Sequence, residues 1–250
     1  MTTIATRSAA DVAISVAATI DGIFATIDGW RDLLEDRLAA ADALTAETVD
    51  PLVETFAVPA VSGTTLLTGA GFVAAPGALA DAQWHLAWWL GTTSSADGVR
   101  RLATIDDPSH EQFRDYTALE WWRVPQATGA RHLTGPYVDY VCTDDYTVTV
   151  TTPVMRDGAM IGVVGADALV DRLERVLLPV LRTGRSPATL VNASGRVVTS
   201  TDARREPGSM LRGDGLIAAV RALSPVPVRL ADGTSVLACG DTSLALVVGI

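Results

Sequence analysis

The reading of the fold turns on residues 121–167. They comprise Trp121-Trp122, then Gly135-Pro136-Tyr137-Val138-Asp139-Tyr140, then Tyr146-Thr-Val-Thr-Val-Thr-Thr, and finally Met160-Ile-Gly-Val-Val-Gly-Ala-Asp167. Residues 146–152 alternate as a strand does, and 159–166 form an apolar run consistent with a strand buried on both faces. Arg156-Asp157-Gly158 between them reads as a turn. In an extended chain Tyr137 and Asp139 project to one side, with Val138 and Tyr140 on the other. A tyrosine and a carboxylate on one face are not ordinary core, because an unpaired buried carboxylate is costly. Asp167 raises the same question, since alternation places it on the face of Ile161, Val163 and Gly165. Two readings of it stay open: a cap on the following helix, or a ligand contact.

Working back towards the N-terminus, Val12, Val16, Ile20, Ile23 and Ile27 recur at three and four, and Trp30, Leu34, Leu38, Ala41 and Leu44 resume after Asp28-Gly29. The period predicts a helix over about 8–46, kinked or divided at Gly29, that packs along a sheet or pairs with a second copy of itself. Asp50-Pro51 predicts an N-cap and a short helix through Phe56. Leu66 to Ala75 reads as a strand whose glycines let a neighbour or ligand approach the backbone. Residues 84–90 read as another, with Trp84, Leu86, Trp88 and Leu90 on one face. A third strand is expected over 100–105 and a helix over 113–122.

Towards the C-terminus, Leu169, Leu173, Val176, Leu177 and Val180 mark a helix that stops near Gly184. A hairpin over 188–200, a helix over about 215–223 and strands over 226–230 and 235–250 form a second, smaller unit. The order predicts an α+β chain with two antiparallel sheets. Its expected divisions are a helical segment, 1–56, a larger unit, 57–184, and a smaller one, 185–250.

The totals narrow the function. A chain of 250 residues, 48% hydrophobic, can bury a sizeable core. Its formal charge is −10 and all 19 basic residues are arginine, which argues against nucleic acid or an anionic membrane as partner. Cys142 and Cys239 belong to no CxxC and read as buried thiols. His85, His110 and His132 are scattered, and no nucleophile elbow, metal spacing or cofactor motif is present, so an enzyme is not expected. Only nine uncharged residues separate Asp11 from Asp21, too few to span a bilayer, and the 57–80 run is broken by Pro59 and Pro76. A cytoplasmic protein is the expectation.

Ten of the fourteen Phe, Trp and Tyr residues fall between Trp84 and Tyr146. Aromatic stripes are usually core, so Trp84 and Trp88 are read as packing residues.

The ordered set Trp121-Trp122, Gly135-Pro136-Tyr137-Val-Asp139, Thr149-Val-Thr-Thr-Pro153-Val, Asp157-Gly158 and Ile161 to Asp167 resembles the double Cache sensor domain, a tandem PAS-like module of bacterial receptors. The resemblance spans nearly the whole chain. It implies a long N-terminal helix and two PAS-like units, the first binding a small ligand and the second usually vacant. It places Trp121 and Trp122 where the family commonly has Trp-Tyr, and Tyr137, Asp139 and Asp167 where amine and amino-acid binders contact the ammonium group. Amino-acid binders carry an arginine two residues before that tryptophan; here the position is Leu119. The resemblance therefore implies an amine without a carboxylate: a biogenic amine, a polyamine or a quaternary ammonium compound.

Tyr116 and Asp145 are further candidates, with a packing tyrosine and a solvated turn acid as their plainer readings. A cation over an aromatic face gains ~0.5–2 kcal/mol, and a charged hydrogen bond contributes roughly 1.5–3 kcal/mol. Two carboxylates and two or three rings could therefore hold a micromolar ligand. The signal is expected to pass through a separate protein or a homodimer along the N-terminal helix. The alternatives are a ligand-free dimerisation scaffold or an amino-acid-binding Cache protein.

Overall fold

In the computed structural model, which describes residues 6–63, 65–91, 98–140 and 146–249, the N-terminal period becomes helix α1, Ala9–Leu38. Two of the residues singled out above, Cys142 and Asp145, lie outside the described residues. A reciprocal box starts α1: the Ser8 hydroxyl accepts from the Asp11 N–H, and the Asp11 carboxylate accepts from the Ser8 N–H. The helix continues through Gly29 without division. Its stripe of Val12, Val16, Ile20, Phe24, Ile27, Leu34 and Leu38 is buried, and the helix packs on strands of both sheets. Of its large apolar residues only Ile14, 65% accessible, is exposed. The stripe is thus used within the chain and is not the free face that a helix-paired homodimer needs.

Helix α2 runs Ala46–Val61 and is capped by Thr45 and Thr48, not by Asp50. Asp50 lies inside the helix, where its carboxylate takes His85 Nε2 at 2.7 Å and the Arg101 guanidinium. The cap expected at Asp50 is therefore wrong: that carboxylate ties α2 to the sheet.

The first sheet contains β1 Leu67–Ala74, β2 Leu86–Gly91, β3 Val99–Arg101, β4 His132–Val138, β5 Tyr146–Arg156 and β6 Ala159–Leu169, in the order β3-β2-β1-β6-β5-β4. Neighbours pair antiparallel throughout. Alternation along β2 sends Ala87 and Trp89 to the α1/α2 side and Leu86, Trp88 and Leu90 to the opposite side. That opposite face is covered by a 3₁₀ turn, Tyr116–Ala118, and helix α3, Glu120–Thr128. The single helix expected over 113–122 splits because the Asp115 carboxylate accepts from the Thr117 N–H and closes a short turn, and Leu119 is extended.

Helix α4, Val170–Leu181, leads to the second sheet: β7 Ala188–Val191, β8 Val197–Ser200, β9 Val228–Arg229, β10 Ser235–Ala238 and β11 Ala245–Val248, ordered β8-β7-β11-β10-β9. One face shares the main core with α1 and α4, and the other is covered by α5, Leu216–Arg221. Asn192, in the β7–β8 hairpin, donates from Nδ2 to the Gly135 carbonyl at 2.7 Å and joins the units. The architecture is the expected α+β plan of a long helix followed by two antiparallel sheets.

Candidate functional site

Between α3 and the first sheet lies a recess lined by Val73, Leu86, Trp88, Trp121, Tyr137, Asp139, Thr149 and Asp167. Its floor follows from strand register. Asp167, on central strand β6, pairs with Gly69 of β1 on one side and Thr149 of β5 on the other. A Cβ at Gly69 would stand 2.7 Å from Asp167 Oδ2 and 2.8 Å from Trp88 Nε1. The bare glycine is what lets the carboxylate and the indole converge. Asp167 caps no helix: the N-cap of α4 is Leu169, without a side-chain bond.

On the other flank, the Thr149 hydroxyl donates to Asp167 Oδ1 at 2.6 Å and meets the Tyr137 hydroxyl at 2.7 Å. Thr149 has one proton to give, so Tyr137 donates to Thr149 and the three groups form a directional chain. The Thr151 hydroxyl donates to the Trp121 carbonyl at 2.8 Å and fixes the start of α3 over the sheet. Asp139, just past β4, is 2% exposed and Asp167 4%. Burial, and then the charge of Asp139, push the Asp167 carboxyl up from its ordinary 3.8 to about 7, against the Thr149 hydroxyl and the Trp88 indole, which favour the ionised form. The Trp88 N–H lies beside the carboxylate, yet no acceptor meets it in hydrogen-bond geometry.

Of the residues singled out in the sequence, Trp121, Tyr137, Asp139 and Asp167 come together in this recess. Trp122 does not line it; it is fully buried beneath, in the same apolar cluster. Tyr116 lies one step away, its ring stacked on Trp121 at 6.2 Å and its hydroxyl donating to the Ala74 carbonyl at 2.6 Å. Burial raises that phenol to about 12, so it stays neutral. Trp88, read from sequence as packing, is a wall of the recess, and Thr149, named in the sequence only as part of a motif, lines it too. The glycine at 69 was the available signal for a close approach here. His85 and His132 are engaged by Asp50 and Glu120.

Known proteins give this geometry its setting. Residues 99–175 match the family model for the first PDC sensor domain of methyl-accepting-chemotaxis-protein-like proteins. A structure of Methyl-accepting Chemotaxis protein X is similar at 19% identity and a TM-score of 0.65, covering 96% of this chain and 93% of that one. The extracellular domain of a protein described as a histidine kinase is similar at 16% identity, TM-score 0.64, covering 95% and 90%. This chain has the PDC/Cache sensor-domain fold. The ligand-binding domain of the Campylobacter jejuni chemoreceptor Tlp3 in complex with L-valine shares it at 15% identity, TM-score 0.56, covering 96% and 89%.

The cytoplasmic placement expected from the sequence does not stand. The matched family model is that of a receptor sensor domain, and a structure with this PDC/Cache fold is an extracellular one. The window between Asp11 and Asp21 also understates the helix, because α1 continues through both for 30 residues while its apolar stripe packs on both sheets. By length and composition it is apolar enough to cross a membrane.

Proposed function

We propose that the chain is a ligand-binding sensor domain whose first sheet recognises a small organic cation. The observation that carries this reading is Asp167: a carboxyl buried at the centre of a sheet and held back from ionising, in a recess walled by Trp88 and Trp121. A cation there would relieve the cost of burying the anion and lie against aromatic faces. Among the described residues no arginine or histidine lines the recess, and Leu119 packs as an apolar residue at the start of α3. Both features favour an ammonium group over a carboxylate. The signal leaves through a partner domain or protein coupled to α1, which touches both sheets. Calorimetric titration of small amines into the wild type, Asp139→Ala and Asp167→Ala tests the assignment; equal binding in all three rejects it.

A second reading, an amino-acid ligand, is favoured by Arg114, which lines the groove beside the recess. L-valine and 2-methylpropylamine, the same skeleton without its carboxylate, separate the two. Tighter binding of valine that is lost in Arg114→Ala establishes the amino-acid reading.

A further inference from the structure

The recess leaves ≈ 20 Å³ for the centre of a water-sized group, little more than the ~10–15 Å³ that one water needs. On the same measure the groove beside it offers ≈ 300 Å³. Leu86 lines both spaces. The ring of Tyr116 faces the groove and stacks on Trp121 of the recess. Trp84 meets Phe113 edge-on at 5.0 Å and Tyr116 at 5.1 Å, so a chain of touching rings links the groove to Trp121 of the recess. Tyr140, directly after Asp139, lines the groove and is 73% exposed.

We propose that the ligand is a primary monoamine with an aromatic or branched apolar tail, its ammonium group in the Asp139–Asp167 recess and its tail in the groove of Trp84, Phe113 and Tyr116. The proposal rests on the cation reading above and goes further by naming the ligand class. Size makes the first choice. An ammonium group is about as large as a water molecule and fits the recess, whereas a quaternary ammonium centre, wrapped in four carbons, does not. Charge makes the second. Among the described residues the groove carries one acid, Asp106, and one base, Arg114, so a second ammonium at the far end gains no net attraction from them. A diamine is therefore disfavoured. The unpartnered Trp88 N–H, on a side chain only 4% exposed, completes the fit. A cation in the recess favours ionised Asp167, whose proton is released to solvent, and the charged Oδ2 over Gly69 then stands beside this N–H as a stronger acceptor.

The test titrates the full chain with methylammonium, 2-phenylethylammonium, tetramethylammonium and butane-1,4-diammonium. The phenylethyl probe is expected to bind roughly tenfold or more tighter than methylammonium, the gain from burying a ring. Tetramethylammonium should not bind, and the diamine should gain nothing over methylammonium. Phe113→Ala should weaken the phenylethyl probe by about tenfold and methylammonium by less than about twofold. Tyr140→Ala, at an exposed position that does not threaten folding, should act in the same direction. Equal losses for both probes, or tetramethylammonium binding as tightly as the phenylethyl probe, overturns the groove assignment while leaving the cation site intact. If no amine binds, or if Asp167→Asn binds all of them unchanged, the cation reading itself fails and the proposal with it.

Discussion

The two sheets share an antiparallel plan and a common helix, α1, but they are filled differently. The first buries Asp139 and Asp167 among Trp88, Trp121 and Tyr137. Among the described residues the second buries hydroxyls and a thiol but no carboxylate: Thr189 pairs with Ser200 at 2.8 Å, and Thr242 donates to the Cys239 carbonyl at 2.6 Å. No aromatic residue follows Tyr146 in the chain, so the second sheet's core is Val, Leu and Ala. Cys239, buried there with its thiol pushed up to about 12, is an inert part of that packing. One fold thus carries a sheet whose interior opposes its own charge and a sheet that buries no carboxylate among the described residues, where the Thr234 hydroxyl is the buried group left unpaired. A neutral interior gives a cation no charge to meet, whereas an opposed one has a reason to bind it.

The sharpest way to break this contrast is to give the second sheet a carboxylate. Val197→Asp, at a fully buried position, should cost more than about 4 kcal/mol, because the charge would enter a cluster of Val, Leu and Ala. Chemical denaturation should show a larger loss at pH 8 than at pH 4. Survival with little loss would mean that the two interiors differ less than their composition indicates.

Removing the charge from the first sheet should act the other way. Asp167→Asn is expected to abolish cation binding, and above pH 7 to stabilise the ligand-free domain by a few kcal/mol. The sign follows from the raised pKa. The folded state keeps a proton that the unfolded chain releases near 3.8, so this residue's contribution is full below that value and is lost as pH rises to about 7. Denaturation midpoints of the wild type should therefore fall between pH 4 and pH 7, and the Asn variant should flatten that interval. Cation affinity should rise over the same range as the carboxylate ionises.

A smaller effect is expected from Gly69→Ala, about 1–3 kcal/mol of destabilisation, since the new methyl would collide with Asp167 and Trp88. It should also close the recess, which loss of amine binding in a variant that still melts cooperatively would show. The smallest is Gly29→Ala on α1, where no atom lies within 4 Å of the added carbon. There a thermal melt should show a gain of up to about 1 kcal/mol.

Strands β5 and β6, the turn at Asp157-Gly158 and the stripe on α1 were legible because each is written locally, in a period of two or of three and four. The start of α2 was not: Asp50 looks like a cap until His85 and Arg101, 35 and 51 residues away, are placed beside it. Nor was the role of Trp88, whose apolar face and position on β2 say packing while its indole edge meets Asp167.

By itself the sequence determined the α+β order, the strands marked by their alternation, and the presence of Trp121, Tyr137, Asp139 and Asp167 within one stretch. Tertiary structure alone decided that these four share a recess, that Trp122 and Tyr116 stand outside it, and that Asp167 is a sheet residue rather than a cap. The physical reason is register. Gly69, Thr149 and Asp167 are set side by side only by hydrogen bonding between strands up to 98 residues apart, and the burial that opposes the charge exists only once that sheet has formed.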